Sequence, residues 1–242
     1  MKNTYKTTKG FKSYEEYRKN DNRACEIVEE FLEEHYYPHF TKNFERITEK
    51  DKQVIGIDCT FTIKNYDYIC DEKAACGWAN KNLQTFSFEL TYINRAKKLH
   101  KGWYLDNTHV SNSFNLVYTD VIRDNEGDFS YYTFEKEHIK ELTSILVRKE
   151  KLNEYLNSIG WTKEKLLEKA KEIRETNGNC EMGKKDIDEV RFCYCKNLPE
   201  LPTNILIKRE KLLELSDLTF IYNRGVIEFY SGGKRIKTIK EK

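Results

Sequence analysis

No stretch of the 242 residues approaches the roughly 20 consecutive apolar residues that a membrane-crossing helix needs. The opening Met1-Lys-Asn-Thr-Tyr5 also lacks the apolar centre of a secretory signal, so a cytoplasmic protein with no membrane partner is expected. Glycine is sparse, with 11 residues scattered along the chain, and neither GxxxxGK(S/T) nor GxGxxG occurs. That excludes the common phosphate-cradling loops and with them a nucleotide-hydrolysing motor. The five histidines, His35, His39, His100, His109 and His138, show no HExxH or HxH spacing, and no GxSxG marks a nucleophilic serine. The seven cysteines are odd in number and contain no CxxC pair. They are expected to be reduced thiols rather than a disulfide scaffold. Cys180, Cys193 and Cys195 form the one close set, and without a histidine pair they are read as free thiols rather than as zinc ligands.

What the chain does have is charge and aromatics. Charged residues make up 34% and hydrophobic residues 38%, so the core must lean on the 16 Tyr and 13 Phe. The net charge of +2 favours no partner by itself, because nucleic-acid binding depends on where positive charge lies. Two basic clusters stand out: Arg95, Lys97, Lys98, His100 and Lys101, then Lys234, Arg235, Lys237, Lys240 and Lys242. Lysine-rich loops also serve solubility, so these clusters support a case made elsewhere.

Along the chain, residues 1–20 read as a polar, flexible N-terminal arm. Ala24, Ile27, Val28, Phe31 and Leu32 recur at helical spacing and predict a helix over 22–36, followed by a linker to Asp51. Val54–Ile63 and Tyr66–Lys73 read as two strands joined by a tight turn, and the alternation over Gln84–Tyr92 predicts a third strand beside them. Short strands are expected at Gly102–Leu105 and Ser113–Tyr118. Helices are expected over Glu135–Leu156 and Thr162–Thr176, then strands at Glu189–Cys195 and Thr203–Ile207. Over 217–242, turns at Asn223-Arg-Gly225 and Ser231-Gly-Gly233 predict β-hairpins running into a basic tail.

Residues two apart on a strand share a face, so Asp71 and Lys73 lie together while Cys70 and Glu72 point away. With the turn centred on Asn65 and Tyr66, paired positions sum to 131, which sets Asp58 opposite Lys73 and diagonal to Asp71. Two carboxylates and an ammonium on an apolar hairpin stabilise a sheet by only about 0–1 kcal/mol, so chemistry explains them better. A carboxylate pair is the usual protein share of a Mg²⁺ site, completed by water and phosphate oxygens. Lys73 would then orient or help deprotonate the attacking water and stabilise charge developing on phosphorus.

At these residues the sequence resembles the PD-(D/E)xK nuclease superfamily, with Asp58 as the first element and Asp71-Glu72-Lys73 as the second. The resemblance implies a restriction-endonuclease-like α/β fold: a central mixed β-sheet flanked by helices, here a single domain over 1–242 with a β-rich C-terminal extension. It implies Asp58 and Asp71 as ligands of Mg²⁺, with Mn²⁺ as a substitute, and Lys73 as catalytic base or charge stabiliser. It further implies the backbone carbonyl of Glu72 as a metal ligand. DNA is the expected substrate with RNA as the second choice, and a homodimer would suit cleavage of two strands. Ile57 stands where the family has its nominal Pro, and Phe88 replaces the Tyr of the Gln-x-x-x-Tyr element that one branch carries after Gln84. In the family the leading helix often adds an acidic residue, for which Glu26, Glu29, Glu30 and Glu34 are all candidates. Glu89, with Thr85 and Ser87, either looks into the same patch or faces solvent. A module that binds nucleic acid or protein without cutting it is the alternative.

Overall fold

Ser13 opens the first element: its hydroxyl accepts a hydrogen bond from the Glu16 N–H at 3.1 Å, a side-chain cap on the helix that follows. The computed structural model describes residues 13–121, 134–176 and 189–241. Residues 1–12, 122–133, 177–188, Cys180 among them, and Lys242 lie outside the described residues. With Ser13 as cap and Glu15 and Glu16 in the first turn, helix α1 spans Tyr14–His35. Positions 14–20, expected to belong to a flexible arm, are therefore helical.

Short helix α2 (Tyr37–Phe40) leads into strand β1 (Lys42–Arg46) and helix α3 (Lys50–Val54), where the sequence had suggested only a linker. β1 is an edge strand with mostly exposed polar side chains, so it carries almost no apolar signal. β2 (Cys59–Ile63) and β3 (Tyr66–Ala74) form the expected hairpin. β4 (Thr85–Ile93) forms where its alternation predicted, but it does not extend that hairpin. It pairs instead with β5 (Leu99–Lys101) and later with β9 (Thr203–Lys208), which also holds β8 (Val190–Tyr194), in a separate four-stranded sheet. The strand expected at Gly102–Leu105 is displaced to Leu99–Lys101, and residues after it turn away.

β6 (Ser113–Val121) takes the place beside β3 and runs parallel to it. The next strand, β7 (Ile139–Arg148), overturns the helix expected over Glu135–Leu156; only Lys149–Ser158, helix α4, is helical there, after a short 3-10 turn at Lys136–His138. The reason is double burial. Leu142 and Leu146 enter one core while Ile145 and Val147 enter the other, so apolar residues fall three and four apart on a strand that is buried on both faces. Helices α5 (Lys163–Glu175) and α6 (Arg209–Leu215) and strands β10 (Leu218–Asn223), β11 (Val226–Ser231) and β12 (Lys234–Lys240) complete the chain. The last three strands stand where the two turns placed them. Both turns use positive φ, at Arg224 and Gly225 and at Gly232 and Gly233, which suits tight antiparallel hairpins.

The large sheet has eight strands in the order β1-β2-β3-β6-β7-β10-β11-β12 and is mixed, with β3 and β6 as its parallel pair. α1 and α2 pack one face through Phe31, Leu32 and Tyr36 against Val117, Leu146 and Phe220. The other face, through Phe114, Leu116, Ile145 and Val147, meets the second sheet and α4 to α6. Among the described residues no helix is long and apolar enough to cross a membrane.

Candidate active site on the hairpin of β2 and β3

The turn between β2 and β3 is Lys64-Asn65, one residue earlier than expected, with Lys64 at φ 56°. Cys59 therefore pairs with Cys70, and continuing that register sets Asp58 opposite Asp71, with Lys73 on the diagonal. The expected pairing of Asp58 with Lys73 is thus corrected by two positions. An even shift keeps every side chain on its face, so Asp58, Asp71 and Lys73 still converge. Asp58 sits just ahead of β2 and is fixed by its backbone. Its N–H donates to the Cys70 carbonyl at 2.9 Å, and its Oδ2 accepts from the Glu72 N–H at 2.8 Å.

Glu72 turns to the opposite face, towards α2. Its carboxylate accepts from Tyr37 Oη at 2.7 Å and from Asn115 Nδ2 at 3.1 Å, and it pairs with Arg46. The side chain is thus occupied by packing interactions. Only its backbone meets the site, the N–H on Asp58 Oδ2 and the carbonyl 3.3 Å from Lys73 Nζ.

Asp71 is fully buried. One carboxylate oxygen pairs with Lys73, while Oδ2 has no hydrogen-bond partner in the structure. His109 Nδ1, also buried and without a hydrogen-bond partner, stands 3.9 Å from that oxygen. Leaving a buried carboxylate oxygen unbonded costs about 1–3 kcal/mol or more, a cost that a closer approach of His109 or a cation at that oxygen would relieve. Burial works against Asp71 ionising, but Lys73, His109 and Asp58 together outweigh it and hold the carboxyl below its usual range. Asp58 moves the other way: burial pushes it up to about 6, Lys73 pulls it down and Asp71 pushes it up further. Lys73 lies 3.9 Å from Asp58 and is about a third exposed. Burial opposes its charge, yet the two aspartates keep it protonated.

Sequence reasoning missed three neighbours of this centre. His109 belongs to no metal-binding spacing in the sequence; it arrives on the loop before β6, where no motif announces it. Lys149, the first residue of α4, donates to Ser111 Oγ at 2.6 Å, and burial lowers its ammonium to about 8 even though Asp71 pulls it up. Gly56, at φ +77°, makes the room. A Cβ there would lie 2.7 Å from His109 Nδ1, 3.2 Å from Ser111 Oγ and 3.3 Å from Asp71 Oδ2. Gly56→Ala is therefore expected to cost about 1–2 kcal/mol of stability from the left-handed backbone alone, read by urea unfolding, and to impair the site as well. Wild-type stability in that variant would show that the loop rearranges freely.

Of the four glutamates proposed from α1, the structure singles out Glu29. It is half-buried, and burial together with Glu72 raises its carboxyl to about 7, with Asp58 contributing further. Glu26 and Glu30 are exposed, and Glu34 pairs with Lys136. Glu89 is half-buried rather than solvated. Its carboxylate accepts from the Trp103 backbone N–H and feels Lys73, and burial raises it to about 7. A carboxyl raised in the folded state stabilises the fold fully below its ordinary value near 4.5, and that contribution is lost as pH rises to about 7. Glu89→Gln should therefore flatten the melting temperature between pH 4.5 and 7; an unchanged slope would contradict the burial of this group.

Among the described residues no three His, Cys, Asp or Glu side chains form a ready metal cage. Two aspartates, one of them with an unsatisfied buried oxygen, and one carbonyl nonetheless fit Mg²⁺, which keeps several waters and takes one or two carboxylates plus substrate oxygens. The Arg95–Lys101 basic cluster lies on the hairpin of β4 and β5. The C-terminal one, from Lys234 to Lys240, lies on β12, five strands from β3 and thus about 24 Å across the sheet. Comparison of the chain with family models, with curated proteins and with solved structures found no match.

Proposed function

We propose that this protein is a metal-dependent nuclease that hydrolyses phosphodiester bonds of DNA, with RNA as the second choice. The observation that carries the reading is the buried Asp71 Oδ2, without a hydrogen-bond partner, on the face that also holds Asp58 and Lys73. Asp58, Asp71 and the Glu72 carbonyl would hold Mg²⁺ or Mn²⁺, which when bound acidifies an attacking water and neutralises charge on the phosphate. Lys73, kept protonated by its two aspartates, suits the stabilisation of negative charge on phosphorus better than the removal of a proton. Lys149, half-buried and lowered to about 8, adds positive charge within reach of Asp71, with Lys163 beside it, which would favour an approaching phosphate.

The rival reading has an observation of its own: the Lys73 ammonium already neutralises the aspartates without a metal, as in a module that binds nucleic acid and leaves it intact. Incubating the purified protein with supercoiled plasmid in Mg²⁺ or Mn²⁺, with and without EDTA, separates the two. Nicking that EDTA abolishes supports the nuclease. A mobility shift without nicking in either condition supports the binder.

A further inference from the structure

Cys193 and Cys195 take no part in the centre on β2 and β3. They lie at the far side of the small sheet, whose strand order is β5-β4-β9-β8. Along β8, Phe192 and Tyr194 enter the core, and the residues on either side of Tyr194 face the other way. Cys193 and Cys195 therefore share one side, and their sulfurs stand 3.5 Å apart. Both are half-buried, whereas Cys59, Cys70 and Cys76 are buried.

The backbone and one buried amide hold the two sulfurs in place. Cys193 is the register partner of Asn204 on β9, and the Cys195 N–H donates to the Pro202 carbonyl at 2.9 Å. Asn204, only 6% exposed, donates from Nδ2 to Cys195 Sγ at 3.5 Å, a contact that would stabilise negative charge on that sulfur. Positive charge lies near: Arg191 comes two residues before Cys193 on the same face of β8, and Lys196 directly follows Cys195, with its Nζ 5.6 Å from the centre of the Tyr194 ring. A disulfide suits this arrangement poorly, because residues two apart on a strand lie about 6.6 Å apart, close to the upper limit of about 6.8 Å between bridged Cα atoms. Structural zinc suits it no better. Zinc takes four ligands, and among the described residues no third His, Cys, Asp or Glu joins the pair.

We infer that Cys193 and Cys195 bind one thiophilic monovalent cation of the Cu(I) class through both sulfurs. Thiolates are the soft ligands that such an ion selects, and two of them satisfy it where zinc or Mg²⁺ would need more. Each thiol gives its proton to solvent as its sulfur–metal bond forms, and no electron is transferred. The loaded site carries net negative charge, which Asn204 Nδ2 and the neighbouring Arg191 and Lys196 offset. The site lies on the other sheet from the aspartates, so it stands or falls apart from the nuclease reading.

Anaerobic titration of the full chain with Cu(I), supplied as its coloured bicinchoninate complex, tests it through the loss of that colour. The wild type should take up an ion that Cys193→Ser and Cys195→Ser each fail to take up, while Cys25→Ser and Cys180→Ser still bind it. Excess Zn²⁺ should not displace it. Both substituted thiols are half-buried, and circular dichroism melts confirm that each variant is folded. No uptake by the wild type, uptake that survives either serine at 193 or 195, loss of the ion in Cys180→Ser, or displacement by Zn²⁺ would overturn the inference.

Discussion

Asp71→Asn is expected to lower metal-dependent cleavage by about 10²-fold or more per folded molecule, with a modest loss of stability because the depressed carboxyl shows that its charge favours the fold. The substitution keeps the shape of the side chain and removes its charge. The carboxylate oxygen Oδ2 has no hydrogen-bond partner in the folded protein, so little native bonding is lost through it. Lys73 loses its nearer partner but is about a third exposed and retains Asp58 at 3.9 Å, so solvent and the second aspartate share its charge. A purely structural role for Asp71 predicts a less stable protein whose remaining folded fraction still cuts. Activity per folded molecule, measured beside thermal unfolding, distinguishes the two.

Arg46→Ala should give the largest loss of stability among the charged residues near the site. Arg46 ties three elements together. Its guanidinium binds the Glu33 carboxylate of α1 at 2.7 Å, pairs with Glu72 of β3, and itself belongs to edge strand β1. The Glu72 side chain is only 4% exposed, and removing its cation leaves a buried carboxylate with two neutral donors, Tyr37 and Asn115. Breaking such a pair from one side costs about 3–5 kcal/mol, because the remaining charge stays desolvated. Urea denaturation reads that cost, and a change below about 1 kcal/mol would mean that water reaches Glu72 in the variant. Arg46→Ala paired with Glu72→Gln should recover part of the loss, since no uncompensated charge would remain.

The contrast between these two neighbours on β3 shows what the sequence could and could not reveal. Alternation along a strand separates Asp71 from Glu72 on paper, and the structure sends one to the candidate centre and the other into a packed ion pair. The convergence of Asp58, Asp71 and Lys73 was legible because face is a matter of parity, and parity survived a turn placed one residue early. Partnership across the sheet was not. β6 displaces β4 from the side of β3, and a nonlocal parallel pairing leaves no mark in either strand's own pattern. β7 was hidden for a related reason: with both faces buried it lost the alternation that betrays a strand. Arg46 lay in a supposed linker, and His109, Lys149 and Gly56 join the centre through loops and a helix start whose positions depend on tertiary contacts. Their signal is a distance in space, which no spacing along the chain reports.

The central claim is that Asp58 and Asp71 share a divalent cation, and diffraction from crystals soaked in Mn²⁺ tests it most directly through the anomalous signal of the ion. The account predicts one peak within about 2.2 Å of a carboxylate oxygen from each aspartate, with Lys73 Nζ moved off Asp71. A map without a peak there at saturating Mn²⁺, with Lys73 still seated on Asp71, would contradict it.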